Sequence, residues 1–230
     1  TRNYRERLQG LRASMERDGE RQAAVKETLS AHEKEFLGLD IDEGLLAKIA
    51  VIVKEYRLCE RSGQELSVRS AGLLRLKREL ERVLPRICFE TKNFCLKDEV
   101  STISPDAVFI KVFHFCNRNL FRHKSPLLAD FKEEIVHCIN TTVYASGLTT
   151  DSIKGLLSQI EQRVFEQIAA LGQWVDSTNE QISQLSDKRR VLLQSNHRLL
   201  SSKTSLRVFE LMKEIDSLED EDTLLQQKAE

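Results

Sequence analysis

Cysteine and histidine have the widest chemical repertoire in this chain, and most of them lie close together. The cysteines are Cys59, Cys88, Cys95, Cys116 and Cys138, and His114, His123 and His137 fall among the last four. Thiolates and imidazoles in a tetrahedral array would hold zinc, and structural zinc sites present ligands in pairs two to four residues apart. His114, Cys116, His123, His137 and Cys138 supply ligand types, but Cys88 and Cys95 stand seven apart. Seven of the ten phenylalanines share this part of the chain. Free cysteine is among the most buried residue types, so the sequence predicts buried thiols here and no metal or cofactor.

Nucleophilic catalysis needs a thiol or hydroxyl beside a base, and such pairs meet in space rather than in sequence. No local signature supports one. His32-Glu33 opens like the zinc-protease helix H-E-x-x-H, but Phe36 occupies the place of the second histidine. The phosphate-cradling G-x-G-x-x-G and G-K-[ST] patterns and the G-x-S-x-G elbow do not occur. The chain therefore reads as a non-enzyme with no catalytic residue to assign.

The one local basic cluster is Arg118, Arg122 and Lys124, within Arg118-Asn119-Leu120-Phe121-Arg122-His123-Lys124. It would meet an acidic partner, a tubulin-like surface or a phosphate. The same charges would also suit the C-terminal end of a helix, against its dipole. Ser104 and Ser125 each precede proline, where a serine caps a helix. Trp174 adjoins an apolar stripe and is expected at a helix–helix seam.

These residues must be positioned by helices. The 230 residues include only 9 Gly and 3 Pro, too few for a β-sandwich or barrel or for a Gly-rich doubly wound nucleotide fold. Pro85, Pro105 and Pro126 all fall in the middle of the chain. This predicts three parts: a helical arm over 1–84, a compact Phe/Cys-rich helical knob over 85–147, and a long helix with a short acidic helix over 148–230. Basic and acidic side chains number 17 and 15, 8 and 7, and 10 and 14 in these parts. None is basic enough for phosphate backbones, so nucleic acid is not an expected partner.

Apolar residues in the first arm recur by alternating threes and fours from Leu8 to Leu39, with a break expected near Gly38 and Asp42. A second series runs Leu45, Ile49, Ile52, Tyr56, Cys59, Gly63, Leu66, Ser70, Leu73, Lys77, Leu80, Leu84 and Ile87. Ser62-Gly63 is its expected interruption, and Pro85 is expected to end that helix at Leu84. Shorter helices are expected over roughly 105–122 and 126–145. The clearest stripe includes Leu157, Ile160, Val164, Leu171, Val175, Ile182, Leu185, Leu192 and Leu199. It predicts a coiled-coil seam on a helix from 149 to about 200, in which Thr178, Arg189 and Asn196 would set register. A last helix is expected over about 205–219.

The fold class is therefore all-α, expected as an elongated helical bundle or coiled coil. The expected role is a structural or adaptor subunit of a cytoskeletal, centrosomal or kinetochore-type assembly. Its partners would be other proteins bound through coiled-coil helices, a homodimer among them. A BAR-like membrane-curvature dimer is the alternative, disfavoured because the long helices are neutral or acidic rather than basic. An odd cysteine count without C-x-x-C suggests reduced thiols in the cytoplasm or nucleus. No signal peptide or transmembrane segment is visible, and a start at Thr1 suggests an excised piece of a longer chain.

Overall fold

A computed structural model of the protein describes residues 2–92, 104–120, 126–145 and 148–229. Among these residues there are six α-helices and no strand: α1 (Arg2–Leu37), α2 (Glu43–Lys92), α3 (Pro105–Asn119), α4 (Ala129–Val143), α5 (Thr150–Ser195) and α6 (Lys203–Ala229). A 3₁₀ turn, Pro126–Leu128, leads into α4. The all-α class is as expected from the scarcity of turn formers and the heptad spacing. Two compact units form. The first combines Thr1–Gln64 with Ser183–Glu230, and the second is Glu65–Ile182. Thus α2 and α5 each contribute a segment to both units.

Helix starts follow side-chain chemistry. Asp42 Oδ2 accepts the Leu45 N–H at 3.0 Å and opens α2 after the break at Gly38. Ser104 Oγ accepts the Ala107 N–H at 3.2 Å, with Pro105 at the first helical position of α3. Thr149 Oγ1 accepts from Ser152 at 3.1 Å, and Ser202 Oγ accepts from Ser205 at 3.0 Å. Each satisfies a donor that the helix itself leaves unpaired. Ser125 and Gly147 lie outside the described residues.

Two expected interruptions of α2 do not occur. The helix passes Gly63 and continues through Pro85 to Lys92. Proline removes one intrahelical hydrogen bond and crowds the preceding turn. Burial offsets that cost, because Leu80 and Ile87 on either side are fully buried. At the other end of the chain, α6 runs to Ala229 rather than stopping near 219, because its acidic residues are paired with basic side chains of α1 and α2.

The second unit is a four-helix core. Leu73, Leu76, Leu80 and Ile87 of α2 join Val108, Val112, Phe115 and Cys116 of α3, Phe131, Ile135, Ile139 and Val143 of α4, and Ile153, Leu157, Ile160, Val164 and Leu171 of α5. Ser70 Oγ donates to Asn179 Oδ1 at 2.8 Å, and the Cys88 thiol donates to Glu161 Oε1 at 3.1 Å. Between these contacts the Lys77 stem lies 3.5 Å from where a Cβ on Gly172 would stand. Each step forward on α2 is matched by an equal step back on α5, so the two segments pack antiparallel and in register. The weak members of the α2 stripe are thereby explained. Ser70 finds a hydrogen bond, and Lys77 lies across a glycine.

The first unit has its own core of Ile49, Ile52, Val53, Leu200, Val208 and Phe209, with Tyr56, Leu192, Leu199 and Met212 packed against it. Here α1 and α6 pair antiparallel through charge. Arg21 holds Glu221 through two hydrogen bonds of 2.6 and 3.2 Å, and Arg207 holds Glu35 through two of 2.7 Å. Lys26 approaches Asp222 at 4.0 Å and His32 approaches Glu214 at 3.4 Å. Gln22 donates to Asp222 at 3.1 Å. Gln22 and His32, two of the three polar residues (with Asp18) in the threes-and-fours series from Leu8 to Leu39, therefore face acidic partners on α6.

Two predictions follow from this packing. Ile160 is fully buried and Phe165, five residues on, is 59% exposed. Ile160→Ala should cost about 2–5 kcal/mol in urea unfolding, and Phe165→Ala within about 0.5 kcal/mol. The hydrogen bonds from Arg207 hold the Glu35 carboxyl below its ordinary value of 4.5. A depressed carboxylate contributes stability that is present above its unfolded pKa and lost as pH falls through the folded one. Glu35→Gln should therefore melt below the parent protein at pH 7, and the gap should close as pH falls below about 4.

Candidate functional site

The described cysteines and histidines of the middle of the chain are not brought together as one ligand set. His114 is exposed on α3 while Cys116, two residues on, is fully buried, so their side chains leave opposite sides of the helix. Burial pushes the Cys116 thiol up to about 12, which makes it a poor nucleophile at neutral pH. Cys138 is half-buried, and His137 borders an open groove with Phe113, Lys132, Glu133, Val136 and Asn140. Cys59, Cys88, Cys116 and Cys138 are free thiols. Among the described residues no three His, Cys, Asp or Glu side chains are grouped to hold a metal ion. Cys95 and His123 lie outside the described residues.

Of the basic cluster, Arg118 is exposed in the last turn of α3. Arg122 and Lys124 lie outside the described residues. The seam residues divide by unit. Leu157, Ile160, Val164, Leu171 and Val175 are buried in the core of the second unit. Ile182 and Leu185 are half-buried, and Leu192 and Leu199 pack against the core of the first unit. Thr178 is buried and returns its hydroxyl to its own helix, donating to the Trp174 carbonyl at 2.7 Å. Asn196 likewise donates to the Leu192 carbonyl at 2.8 Å, where α5 ends. Trp174 is 47% exposed rather than packed in a seam, because Val175 takes the inward position.

The first unit carries a charge network built around the buried Arg57. Arg57 is buried and donates to Glu60 and, at 2.9 Å, to Asp220 on α6. Arg61 meets the same Asp220 oxygen at 2.6 Å, and Arg189 on α5 stands 3.9 Å from Glu60. The Arg189 guanidinium lies 5.5 Å from the centre of the Tyr56 ring, with Lys213 at 5.8 Å. The network ties α2 to α5 and α6, and Arg57 Nε is the one buried side-chain nitrogen or oxygen among the described residues without a hydrogen-bond partner.

The opposite side of this α2–α5 pair is apolar and open. Glu55, Leu58 and Cys59 of α2 face Lys188, Val191, Leu192 and Ser195 of α5 across a groove of about 450 Å³. Val51 extends the same stripe one turn before Glu55. Leu58 is 66% exposed, Val51 58% and Val191 54%. Such residues scattered singly are ordinary on a surface, whereas contiguous ones mark interaction sites. Heptad reading passed over them because they lie off the core stripe. The available signal was the i, i+7 pair Val51 and Leu58 among the exposed Lys48, Lys54, Glu55 and Arg61 on the outer face of α2.

Comparison with protein-family models, with curated proteins and with solved structures found no match. No helix among the described residues is long and apolar enough to cross a membrane. The groove has an apolar floor flanked by one acid, Glu55, and one base, Lys188.

Burial of Cys116 has a direct consequence. In the folded protein its labelling by a small maleimide at pH 7.5 should be slower than in urea by two orders of magnitude or more, because opening of the core must precede reaction. Equal rates in the two conditions would show that the α3 core is not formed.

Proposed function

We propose that the chain is a non-enzymatic structural or adaptor subunit that joins other proteins through its helices. The setting we propose is a cytoskeletal, centrosomal or kinetochore-type assembly in a reducing compartment, cytoplasm or nucleus. The observation that supports this reading is the groove between α2 and α5, where Leu58 and Val191 remain open to solvent above a packed core. Folding a helical bundle does not require those two side chains to be apolar. A polar residue at either place would leave the core intact and remove an aggregation hazard. Apolar side chains beside a groove between helices match the way amphipathic helices are recognised, by anchors at i, i+3, i+4 and i+7.

The paired charges support the same reading. Arg21, Arg57, Arg61, Arg189 and Arg207 are engaged with acidic side chains of this chain. Those five cations are turned toward this chain's own carboxylates rather than offered to a polyanion. Recognition would then rest on shape and apolar contact.

The test is a Leu58→Asp/Val191→Asp variant, compared with the parent chain by proximity labelling in cells. Helicity and melting should be nearly unchanged, since both side chains are exposed. The set of labelled proteins should shrink reproducibly. A folded double variant that labels the same proteins would remove the groove as the binding face.

A further inference from the structure

We propose that the α2–α5 groove of the first unit binds a second copy of this chain, with Glu55 of each copy seated against Lys188 of the other. The inference rests on the reading of the groove as a binding face and specifies its occupant. Its basis is the placement of the two charges. The Glu60–Arg189 pair sets the local antiparallel register of α2 and α5. In that register Leu58 and Val191 stand level at the centre of the groove. Glu55 then lies toward one end on the α2 side, and Lys188 lies toward the other end on the α5 side. They are about 9 Å apart along the helix axes at ~1.5 Å per residue. An acid and a base thus occupy diagonal corners around an apolar centre.

That arrangement is self-complementary. In a two-fold interface the same patch faces itself, so a residue at one position meets a residue at the position related by the axis. An axis lying in the face, perpendicular to the diagonal, exchanges the two corners. It sets Glu55 on Lys188 twice and closes Leu58 and Val191 over their symmetry mates. An unrelated helix would need one base and one acid of its own at matching places, whereas a second copy supplies both by symmetry.

The state of the two charges agrees with this. On the side facing α6, Glu60, Arg57, Arg61 and Arg189 are all engaged within the chain. Among the described residues neither Glu55 nor Lys188 enters an ion pair. Both are exposed beside apolar side chains, where a charge partner from outside can be partly desolvated on contact. Leu58 and Val191 supply the apolar core of the patch, and the two charges set its orientation and exclude wrong ones.

The experiment is a charge swap read by sedimentation equilibrium or light scattering over a range of concentrations, on the whole chain, with circular dichroism to confirm helicity. The parent should show a reversible dimer. Glu55→Lys alone and Lys188→Glu alone should each weaken it by about tenfold or more, because each turns two attractive contacts into two repulsive ones. An equimolar mixture of the two single variants should recover the dimer as a heterodimer, since each copy then presents the sign the other lacks. The Glu55→Lys/Lys188→Glu chain should also recover it. Leu58→Asp should abolish it. A parent that stays monomeric at the highest concentration overturns the proposal, as does dimerisation indifferent to both charge reversals or single variants that do not rescue one another. A monomeric parent whose Leu58→Asp/Val191→Asp form still loses labelled partners would leave the groove as a binding face for another protein. A dimer with no change in labelled partners would do the reverse.

Discussion

The antiparallel pairing of α2 with α5 is the constraint on which the rest of the second unit depends. Both segments carry an apolar stripe that no single helix can bury alone. Packed against each other, they close Leu73, Leu80 and Ile87 together with Leu157, Ile160, Val164 and Leu171. The two shorter helices then complete the layer, with Val112 and Phe115 from α3 and Ile135 and Ile139 from α4. The gain is strong enough to carry α2 through Pro85. The proline costs one hydrogen bond and some crowding, of order 3 kcal/mol in an isolated helix. Full burial of Ile87 and of its neighbours in the core is of comparable size, roughly 1.5–3 kcal/mol per large aliphatic side chain.

The first unit is held differently. Its core is smaller, and its outer helix, α1, meets α6 along a row of charged side chains. Exposed ion pairs contribute little each, about 0–1 kcal/mol, because water and salt screen them. Two of these pairs are bidentate arginine–carboxylate contacts, the geometry in which such pairs count most. Arg207 faces Glu35 and also lies near Glu210, so removing its charge would leave acids facing one another. The acidic run Glu219–Asp222 reads in isolation as a tail that repels anions. In the fold, Asp220, Glu221 and Asp222 are turned inward onto basic side chains of α1 and α2.

How much of this was legible follows from what periodicity encodes. A stripe of threes and fours states which face of a helix is buried. It accordingly placed Ile49, Leu73, Leu80, Ile87, Leu157, Ile160 and Val164, all buried in the structure. It does not state which helix covers the face, so the division into units, with α2 and α5 each shared between them, was not readable. Local propensity was a poor guide at Gly63 and Pro85, because packing decides whether a break is tolerated. The candidate site was harder still. Leu58 and Val191 lie on the side that a core-seeking reading treats as solvent, and their meaning emerges only when α5 is seen to run beside α2. The cysteines show the converse. Their types suggested metal chemistry, but Cys116 points into a phenylalanine-lined core and Cys88 toward a carboxylate on α5.

Polar residues inside the apolar stripes have a part in specificity. In the second unit, Ser70 is nearly buried and its hydroxyl reaches Asn179 on the opposing helix. A slip of α5 by one heptad would leave the stripe apolar but would separate this pair, and a buried hydroxyl without a partner costs about 1–3 kcal/mol. Lys77 adds a steric condition. Its stem crosses α5 where Gly172 has no side chain, and a Cβ there would stand in ordinary contact at 3.5 Å, so a longer side chain would collide with it. A slipped register would bring such a side chain under Lys77. Apolar burial drives the two helices together without choosing among registers spaced by seven. One hydrogen bond and one glycine, both weak as core elements, make that choice.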